Sequence, residues 1–142
     1  MEKVELVFDP DNAEAAGYVR RRLSMFNASR TGRSDYYPCN IFLKGEQGET
    51  LGGLLGYVWS DWLFVEILWV DEPLRGRGQA TRLMDAAEAY ARKRGCHSAY
   101  LDTHSWQARP FYEKRGYEVF GVLDDFPPGH KKFFLKKPLQ DR

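Results

Sequence analysis

Residues 65–83 join an apolar strand to a helix through a short loop that contains two glycines. Residues 65–70 are apolar, β-branched or aromatic except for Glu66, which predicts a buried strand that carries one carboxylate. Gly76 and Gly78 follow, and the apolar residues after them recur at three- and four-residue spacing, as in a helix. A glycine loop before a helix N-terminus favours an anion, because free backbone N–H groups point toward the ligand. This segment therefore predicts a strand, a phosphate-binding loop and a helix in succession.

The rest of the chain predicts a single α/β domain over residues 1–142. The predicted order is strand (4–8), a helix capped by Asp11 or Asn12, loop (27–38), two hairpins up to residue 70, and then strands alternating with two helices. The second of these helices begins at a cap near Ser105 and ends at Arg115, before strands at 117–123 and 132–135. Crossovers around two helices predict a parallel pair of strands inside a mixed sheet, with hairpins at one side.

Composition argues against several classes of partner. The formal net charge is +1, so no overall field favours nucleic acid or an anionic membrane, and the three arginines at 20–22 fit a solvated helix face. No apolar run approaches the ~18 residues of a membrane span, and the first ten residues contain no apolar h-region of the kind expected in a signal peptide. Cys39 and Cys96 are far apart, and the three histidines show no ligand spacing, so no metal site is expected. We expect a cytoplasmic protein with no nucleic-acid or membrane partner.

Two motifs together indicate a family. Arg75-x-x-Gly78-x-Ala80 fits the pattern R/Q-x-x-G-x-G/A, and residues 108–117, ARPFYEKRGY, fit A-x-x-FYEK-x-G-F/Y about thirty residues later. Both resemble the hallmarks of the GNAT superfamily of acyl-CoA-dependent N-acyltransferases. The resemblance covers nearly the whole chain and implies a mixed, mostly antiparallel sheet with a splayed parallel pair, flanked by helices.

The resemblance also implies acetyl-CoA as co-substrate. In the family the pantetheine arm pairs with the backbone of the strand before the loop, and the loop holds the pyrophosphate. Carried onto this chain, the strand residues are Leu68, Trp69 and Val70, and the loop residues are Arg75, Gly76, Arg77, Gly78, Gln79, Ala80 and Thr81. Ser105 stands where the family often has an asparagine that contacts the pantetheine, and the reach of a serine hydroxyl is shorter.

Two residues are implied as catalytic. Tyr112, the tyrosine of FYEK, would act as a general acid toward the leaving thiolate, and Glu66 matches a position at which some members carry a catalytic glutamate. Acyl transfer to an amine needs a neutral nitrogen, so a group that accepts a proton near pH 7 is required. Two other interpretations stay open: Tyr112 as a packed aromatic, and Glu66 as a group that orients substrate or pairs with an arginine. His104, beside a strand end, is a further candidate for substrate contact or proton relay.

The acceptor is the least constrained part of the prediction. Tyr36-Tyr37 and Asp124-Asp125 lie in the two loops that choose the acceptor in the family, and rings and carboxylates suit a cation. We therefore favour a small amine, a polyamine-like or an aminoglycoside-like acceptor, attacked directly in a ternary complex. The alternatives are a protein or peptide N-acetyltransferase and a non-catalytic acyl-CoA sensor. Members of the superfamily often dimerise through C-terminal strands, so a homodimer is compatible with the sequence.

Overall fold

The computed structural model describes residues 2–140, and contacts divide the chain into two compact units, Met1–Ser34 and Asp35–Arg142. The first unit contains helix α1 (Ala13–Thr31). The Asn12 side chain caps this helix by accepting a hydrogen bond from the Ala15 N–H at 2.9 Å, and Gly32 ends it in the left-handed conformation. The prediction of one domain over 1–142, whose residues 1, 141 and 142 lie outside the described part, stays a prediction.

The predicted strand at residues 4–8 is wrong. This segment has no regular secondary structure, its apolar side chains are exposed, and none of the six strands of the sheet pairs with it. A strand of this length gains stability only from a hydrogen-bonded neighbour and a buried face. The predicted loop at 27–38 is also too long, because α1 continues to Thr31 and the first strand begins at Tyr37.

The second unit is a six-stranded sheet in the order β1-β2-β3-β4-β6-β5. Its elements are β1 (Tyr37–Lys44), β2 (Thr50–Trp59), β3 (Trp62–Val70), α2 (Gln79–Lys93), β4 (Ser98–His104), α3 (Arg109–Lys114), β5 (Glu118–Asp124) and β6 (Lys131–Pro138). β3 and β4 are parallel, and the other neighbouring pairs are antiparallel. The predicted mixed sheet with one parallel pair is confirmed.

The parallel pair separates after four residues. Its register runs from Trp62 opposite Ser98 to Val65 opposite Leu101, and both strands continue beyond that point. On the other side of β3, Gly56 faces Val65 whereas Leu55 faces Ile67, so Glu66 is an extra residue in a β-bulge. Bulges bend a strand and increase its twist, which explains why β3 turns away from β4 at this residue.

The bulge also explains a departure from the sequence prediction of a buried strand. Val65 is buried on one face, but Glu66 and Ile67 are both exposed, and Val70 is buried again. Glu66 is exposed as regular alternation after the buried Leu63 and Val65 requires, and the extra residue explains why Ile67 is exposed as well. The opposite face packs against α2 in one cluster that includes Leu54, Val58, Leu63, Val65, Leu83, Met84, Ala87, Ala91 and Leu101.

One buried carboxylate connects α2 to the end of the chain. Glu88 is only 2% exposed and accepts hydrogen bonds from the Tyr117 hydroxyl at 2.9 Å and from Lys137 Nζ at 2.7 Å. Arg115 Nη2 lies 3.1 Å from Glu88 Oε2, the same oxygen that accepts from Tyr117. We call Glu88, Arg115, Tyr117 and Lys137 the Glu88 cluster; it fixes α2 against the segment that follows α3.

α3 is shorter than predicted. It begins at Arg109, with Pro110 in its first turn, and its N-cap residue Ala108 makes no side-chain hydrogen bond, so Ser105 does not cap it.

Within residues 2–140, no helix is long and apolar enough to cross a membrane. The same residues contain no group of three or more His, Cys, Asp or Glu side chains that could hold a metal ion.

Candidate active site

A cleft of about 720 Å³ opens where β3 and β4 part, a size typical of ligand sites. One wall is residues 66–70 of β3, and the other comes from the end of β4, the segment after it and α3. The residues of this second wall are Asp102, Thr103, Trp106, Gln107, Ala108, Phe111 and Tyr112. Arg75 and Ala80, from the loop and the start of α2, also line the cleft.

The β3 wall presents a free backbone edge. β3 runs to Val70, but its pairing with β4 stops at Val65, so the amide groups beyond that residue have no strand beside them on the cleft side. Backbone N–H and C=O groups need hydrogen-bond partners, and an arm that carries amides would satisfy this edge like an added strand. Leu68, Trp69 and Val70, predicted to bind the pantetheine, all line the cleft here.

The loop after β3 presents donors at the start of α2. Gly76 and Gly78 have φ values of 75° and 80°, a region that favours glycine, and α2 begins directly after Gly78 without a side-chain cap. The first helical hydrogen bond runs from the Arg82 N–H to the Gly78 carbonyl, so the N–H groups of residues 79–81 have no acceptor within the helix. Free N–H groups and the positive end of the helix dipole together suit a phosphate.

Arg75 ties the loop to the strand. Its Nε donates to the Val70 carbonyl at 2.8 Å, and its guanidinium carbon lies 4.5 Å from the centre of the Trp69 ring. These two contacts leave the remaining guanidinium N–H groups beside the cleft. Of the other predicted loop residues, Ala80 lines the cleft, while Gly76, Arg77, Gly78, Gln79 and Thr81 continue the loop and the first turn of α2. The free backbone edge of β3 and the N–H groups at the start of α2 are donors that suit acetyl-CoA, and they lie along one cleft.

Tyr112 reaches the cleft from α3. The residue is 6% exposed, and its ring packs against Phe111 and Tyr117, with centroid distances of 5.2 and 6.0 Å. Burial, and secondly the negative charge of Asp102, raise the pKa of the Tyr112 phenol to about 12. The phenol therefore holds its proton near pH 7 and can donate a hydrogen bond into the cleft.

Two carboxylates share the cleft with this phenol. Glu66 is exposed at the bulge, and Asp102 stands on β4 just beyond the last residue that pairs with β3. The Asp102 side chain is 25% exposed, and its Oδ1 lies 3.6 Å from Lys132 Nζ. The sequence analysis missed Asp102; the signal that finds it is strand alternation, which puts Tyr100, Asp102 and His104 on one face of β4.

Gln107, also missed, lines the cleft close to where Ser105 was expected to act. The Gln107 Oε1 atom accepts from the His104 N–H at 2.7 Å and from the Thr103 hydroxyl at 3.2 Å, which leaves its amide N–H groups as free donors. The Ser105 hydroxyl instead accepts from the Lys131 N–H at 3.1 Å and lies 3.0 Å from His130 Nδ1. Gln107 is thus better placed than Ser105 to donate to a ligand in the cleft.

The acceptor-loop residues named from the sequence do not gather at one point. Tyr36 packs on Tyr57 at 5.2 Å, whereas the Tyr37 ring centre lies 3.8 Å from the Arg94 guanidinium carbon at the end of α2. Asp124 forms an ion pair with Lys131. His104 stacks on Trp106 with a centroid distance of 4.6 Å, at the rim of the cleft.

Comparison with known proteins identifies this combination of fold and cleft. The acetyltransferase (GNAT) family profile matches residues 13–117. The chain is 38% identical over 129 residues to acetyltransferase Atu2258 of Agrobacterium fabrum, covering 91% of this chain and 94% of that protein. It is 44% identical over 96 residues to blasticidin-S acetyltransferase of Streptomyces morookaense, covering 67% and 71% of the two chains.

Comparison with solved structures also identifies acetyltransferases. The crystal structure of an acetyltransferase from Agrobacterium tumefaciens superposes with a TM-score of 0.89 at 36% identity, over 96% of this chain and 99% of that one. A streptothricin acetyltransferase from Bacillus anthracis, solved with acetyl coenzyme A, has the same fold, with a TM-score of 0.61 at 19% identity over 71% and 62% of the chains. Acetyltransferases of the GNAT family use acetyl-CoA as their co-substrate. The chain with its splayed strands, glycine loop and cleft-facing tyrosine belongs to the GNAT family of acetyltransferases.

Proposed function

We propose that this acetyltransferase transfers the acetyl group of acetyl-CoA to the primary amine of a small cationic molecule, by direct attack in a ternary complex. The observation that carries the proposal is the meeting of one phenol, Tyr112, with two carboxylates, Glu66 and Asp102, in the cleft between the parted strands. Acetyl-CoA supplies the activated acetyl thioester. The residues of the cleft bind and orient it and manage the protons of the reaction.

Binding of the co-substrate uses backbone groups more than side chains. The free edge of residues 68–70 takes the amides of the pantetheine arm, and the loop from Arg75 to Thr81 takes the pyrophosphate at the start of α2. Gln107 donates to the arm from the opposite wall, in the role that the sequence suggested for Ser105. These contacts direct the thioester toward Tyr112 and Glu66.

Glu66 receives the proton that the ammonium group loses before it attacks, and the second proton, which the nitrogen loses once it has bonded to the carbonyl carbon, passes through water to the leaving thiolate. An alkyl amine with a pKa near ~10.4 is almost fully protonated at pH 7, and removing its proton costs about 4.6 kcal/mol. A carboxylate at the bulge, open to the cleft, can first hold the ammonium group and then accept the proton directly or through a water molecule. Asp102, which already faces Lys132, adds negative charge that attracts the ammonium group to this point.

Tyr112 stabilises the leaving thiolate by a hydrogen bond rather than by giving up its proton. Its pKa is about 12, whereas an ordinary thiol has a pKa near ~8.5, so full proton transfer would cost about 5 kcal/mol. A donated hydrogen bond to a developing anion needs no such transfer and is strong in a site that excludes water. The buried phenol therefore fits an electrostatic role.

The acceptor class rests on charge. Glu66 and Asp102 bring two negative charges to the cleft, and Lys132 balances one of them, so a cation is the complementary ligand. One relative is named as an acetyltransferase of blasticidin-S, a small molecule, and this supports a small-molecule acceptor. A peptide N-terminus has a single ammonium group and would use this charge less fully.

A coupled experiment tests the proposal. Purified protein is titrated with acetyl-CoA by calorimetry, and thiol release is then followed with small diamines, guanidinium-bearing amines, aminoglycosides and peptides as acceptors. We expect binding of acetyl-CoA, thiol release that depends on a small cationic amine, and an equal amount of N-acetylated product by mass spectrometry. Release with peptides alone, or binding without amine-dependent release, would contradict the proposal.

A further inference from the structure

A hydrogen-bond network at the end of β4 fixes the direction of one side chain in the cleft wall. Gln107 Oε1 accepts from the His104 backbone N–H at 2.7 Å and from the Thr103 hydroxyl at 3.2 Å. A backbone N–H can only donate, so the atom that it meets must be the oxygen of the amide and not its nitrogen. Because Gln107 lines the cleft, its two amide N–H groups are the part of the side chain that a ligand can use.

The ring of His104 adds a third contact to the same oxygen. His104 Nδ1 lies 3.2 Å from Gln107 Oε1. Since this oxygen carries no hydrogen, the contact requires the tautomer in which Nδ1 bears the proton. Stacking on Trp106, with ring centres 4.6 Å apart and an interplanar angle of 23°, holds the ring in place. The amide of Gln107 therefore cannot turn over without losing three contacts at once.

Thr103 connects this network to α3. The residue is only 3% exposed and lines the cleft beside Gln107. Its hydroxyl oxygen accepts from the N–H of Ala108, the N-cap residue of α3, at 3.5 Å. The single hydrogen of the hydroxyl is already donated to Gln107, so Thr103 has none left to donate to a ligand. Its hydrogen bonds serve to hold neighbouring groups.

We propose that Thr103 is a positioning residue for the co-substrate: it holds Gln107 with the amide N–H groups directed at the pantetheine arm before acetyl-CoA binds. The inference rests on the proposed function, in which Gln107 donates to this arm, and it adds the residue that prepares the contact. A mobile glutamine side chain loses much of its rotamer freedom when a ligand fixes it. A side chain that is ordered beforehand avoids this loss, so the same hydrogen bond contributes more to affinity.

Removal of one hydroxyl group tests the proposal. Thr103→Val keeps the shape of the side chain but cannot donate to Gln107. We expect the Kd for acetyl-CoA, measured by calorimetry, to rise about fivefold, while kcat at saturating acetyl-CoA stays within about twofold. Thr103→Ser restores the hydroxyl and should return the Kd to within about twofold of the wild type. Thr103→Ala serves if Thr103→Val fails to fold.

A second threonine supplies the matched control. The Thr50 hydroxyl, on β2, accepts from Lys44 Nζ at 2.7 Å, and the residue does not line the cleft. Thr50→Val also removes one bonded hydroxyl, and it should leave the Kd for acetyl-CoA unchanged.

A double variant shows whether Thr103 acts through Gln107. Gln107→Ala should raise the Kd for acetyl-CoA about tenfold, because the donors to the arm are lost. Adding Thr103→Val to Gln107→Ala should raise it no further, since the side chain that Thr103 holds is already absent. Two effects that multiply would mean that Thr103 acts independently of Gln107, and would overturn the inference.

A ligand without the arm separates positioning from general damage to the cleft. The fragment of coenzyme A that ends at its pyrophosphate keeps the nucleotide and lacks the pantetheine. Thr103→Val should leave the Kd of this fragment unchanged, and an equal loss for fragment and acetyl-CoA would overturn the inference. So would an unchanged Kd for acetyl-CoA in the Thr103 variants or in Gln107→Ala. The expected Kd changes without thiol release from any amine would instead contradict the proposed function.

Discussion

Two tyrosines whose ring centres are 6.0 Å apart belong to two different kinds of polar region. Tyr117, 3% exposed, donates its hydroxyl to Glu88, and that carboxylate also contacts Lys137 and Arg115. Tyr112, 6% exposed, lines the cleft, where Glu66 is exposed and Asp102 faces Lys132 at 3.6 Å. Burial raises the pKa of both phenols, so a perturbed pKa does not distinguish them.

The difference lies in how the carboxylates are partnered. Glu88 is enclosed, and partners from the segment after α3 and from β6 contact both of its oxygens, as expected of a structural charge. Glu66 and Asp102 keep access to a cleft that can admit a ligand. The comparison teaches that closed networks stabilise the fold, whereas open carboxylates beside an available phenol can act on substrate.

The largest expected effect is on the structural side of this comparison. Glu88→Ala leaves Arg115, Tyr117 and Lys137 without their shared acceptor, and should lower the free energy of unfolding by about 3–5 kcal/mol. Glu66→Ala, in contrast, should change it by less than ~0.5 kcal/mol, because the side chain is exposed. Urea unfolding of both variants measures this. Equal destabilisation would remove the distinction between the two regions.

Removing the charge of Glu66 should affect turnover instead. In Glu66→Gln we expect kcat to fall about 100-fold at pH 7, because no carboxylate accepts the proton of the amine. Activity should recover as the pH rises and the amine loses its proton to solvent. Steady-state rates measured from about pH 6 to about pH 10 test the fall in kcat and its recovery. The variant Glu118→Gln, at an exposed position on β5, is the control. A turnover within twofold of wild type and an unchanged pH profile would exclude Glu66 as proton acceptor.

Arg75 should affect binding of the co-substrate more than chemistry. We expect Arg75→Ala to raise the KM for acetyl-CoA about tenfold with little change in kcat, because a charge-assisted contact to the pyrophosphate is lost. Arg75→Lys should recover part of this effect, since lysine keeps the charge but not the fork of donors. Lys44→Ala, in the first hairpin, is the control. An unchanged KM in Arg75→Ala would remove the side chain from the phosphate site.

The smallest effect is spectroscopic. Tyr112 should ionise near pH 12 rather than ~10, so the difference in phenolate absorbance between wild type and Tyr112→Phe should appear only near pH 12. Because the folded pKa is raised, the corresponding stabilisation is complete below pH ~10 and is lost as the pH rises toward 12. A difference that develops at pH ~10 would mean that the ring is solvated.

The sequence predicted the parts of this molecule that depend on local pattern. The glycine loop, the start of α2 and the FYEK helix were all predicted. Turn residues and helical spacing determine the backbone within a few positions of the chain, so they can be recognised from the sequence. The parallel pair followed from its crossover connections. These features fixed the family and the position of the cleft.

What the sequence did not predict depends on contacts between distant segments. The bulge at Glu66 arises from the register with β2, and the role of Gln107 depends on how residues 103–107 turn after β4. The predicted strand at 4–8 failed because local alternation alone does not show whether a partner strand exists.

The two tyrosines provide the most direct test of the claim that the cleft, and not the Glu88 cluster, carries out the chemistry. Tyr112→Phe and Tyr117→Phe each remove one buried hydroxyl, and kcat is measured for both at saturating acetyl-CoA and amine. We predict that Tyr112→Phe lowers kcat about 100-fold with acetyl-CoA binding retained. Tyr117→Phe should keep kcat within about threefold and lose about 1–3 kcal/mol of stability. Full turnover in Tyr112→Phe would contradict the account.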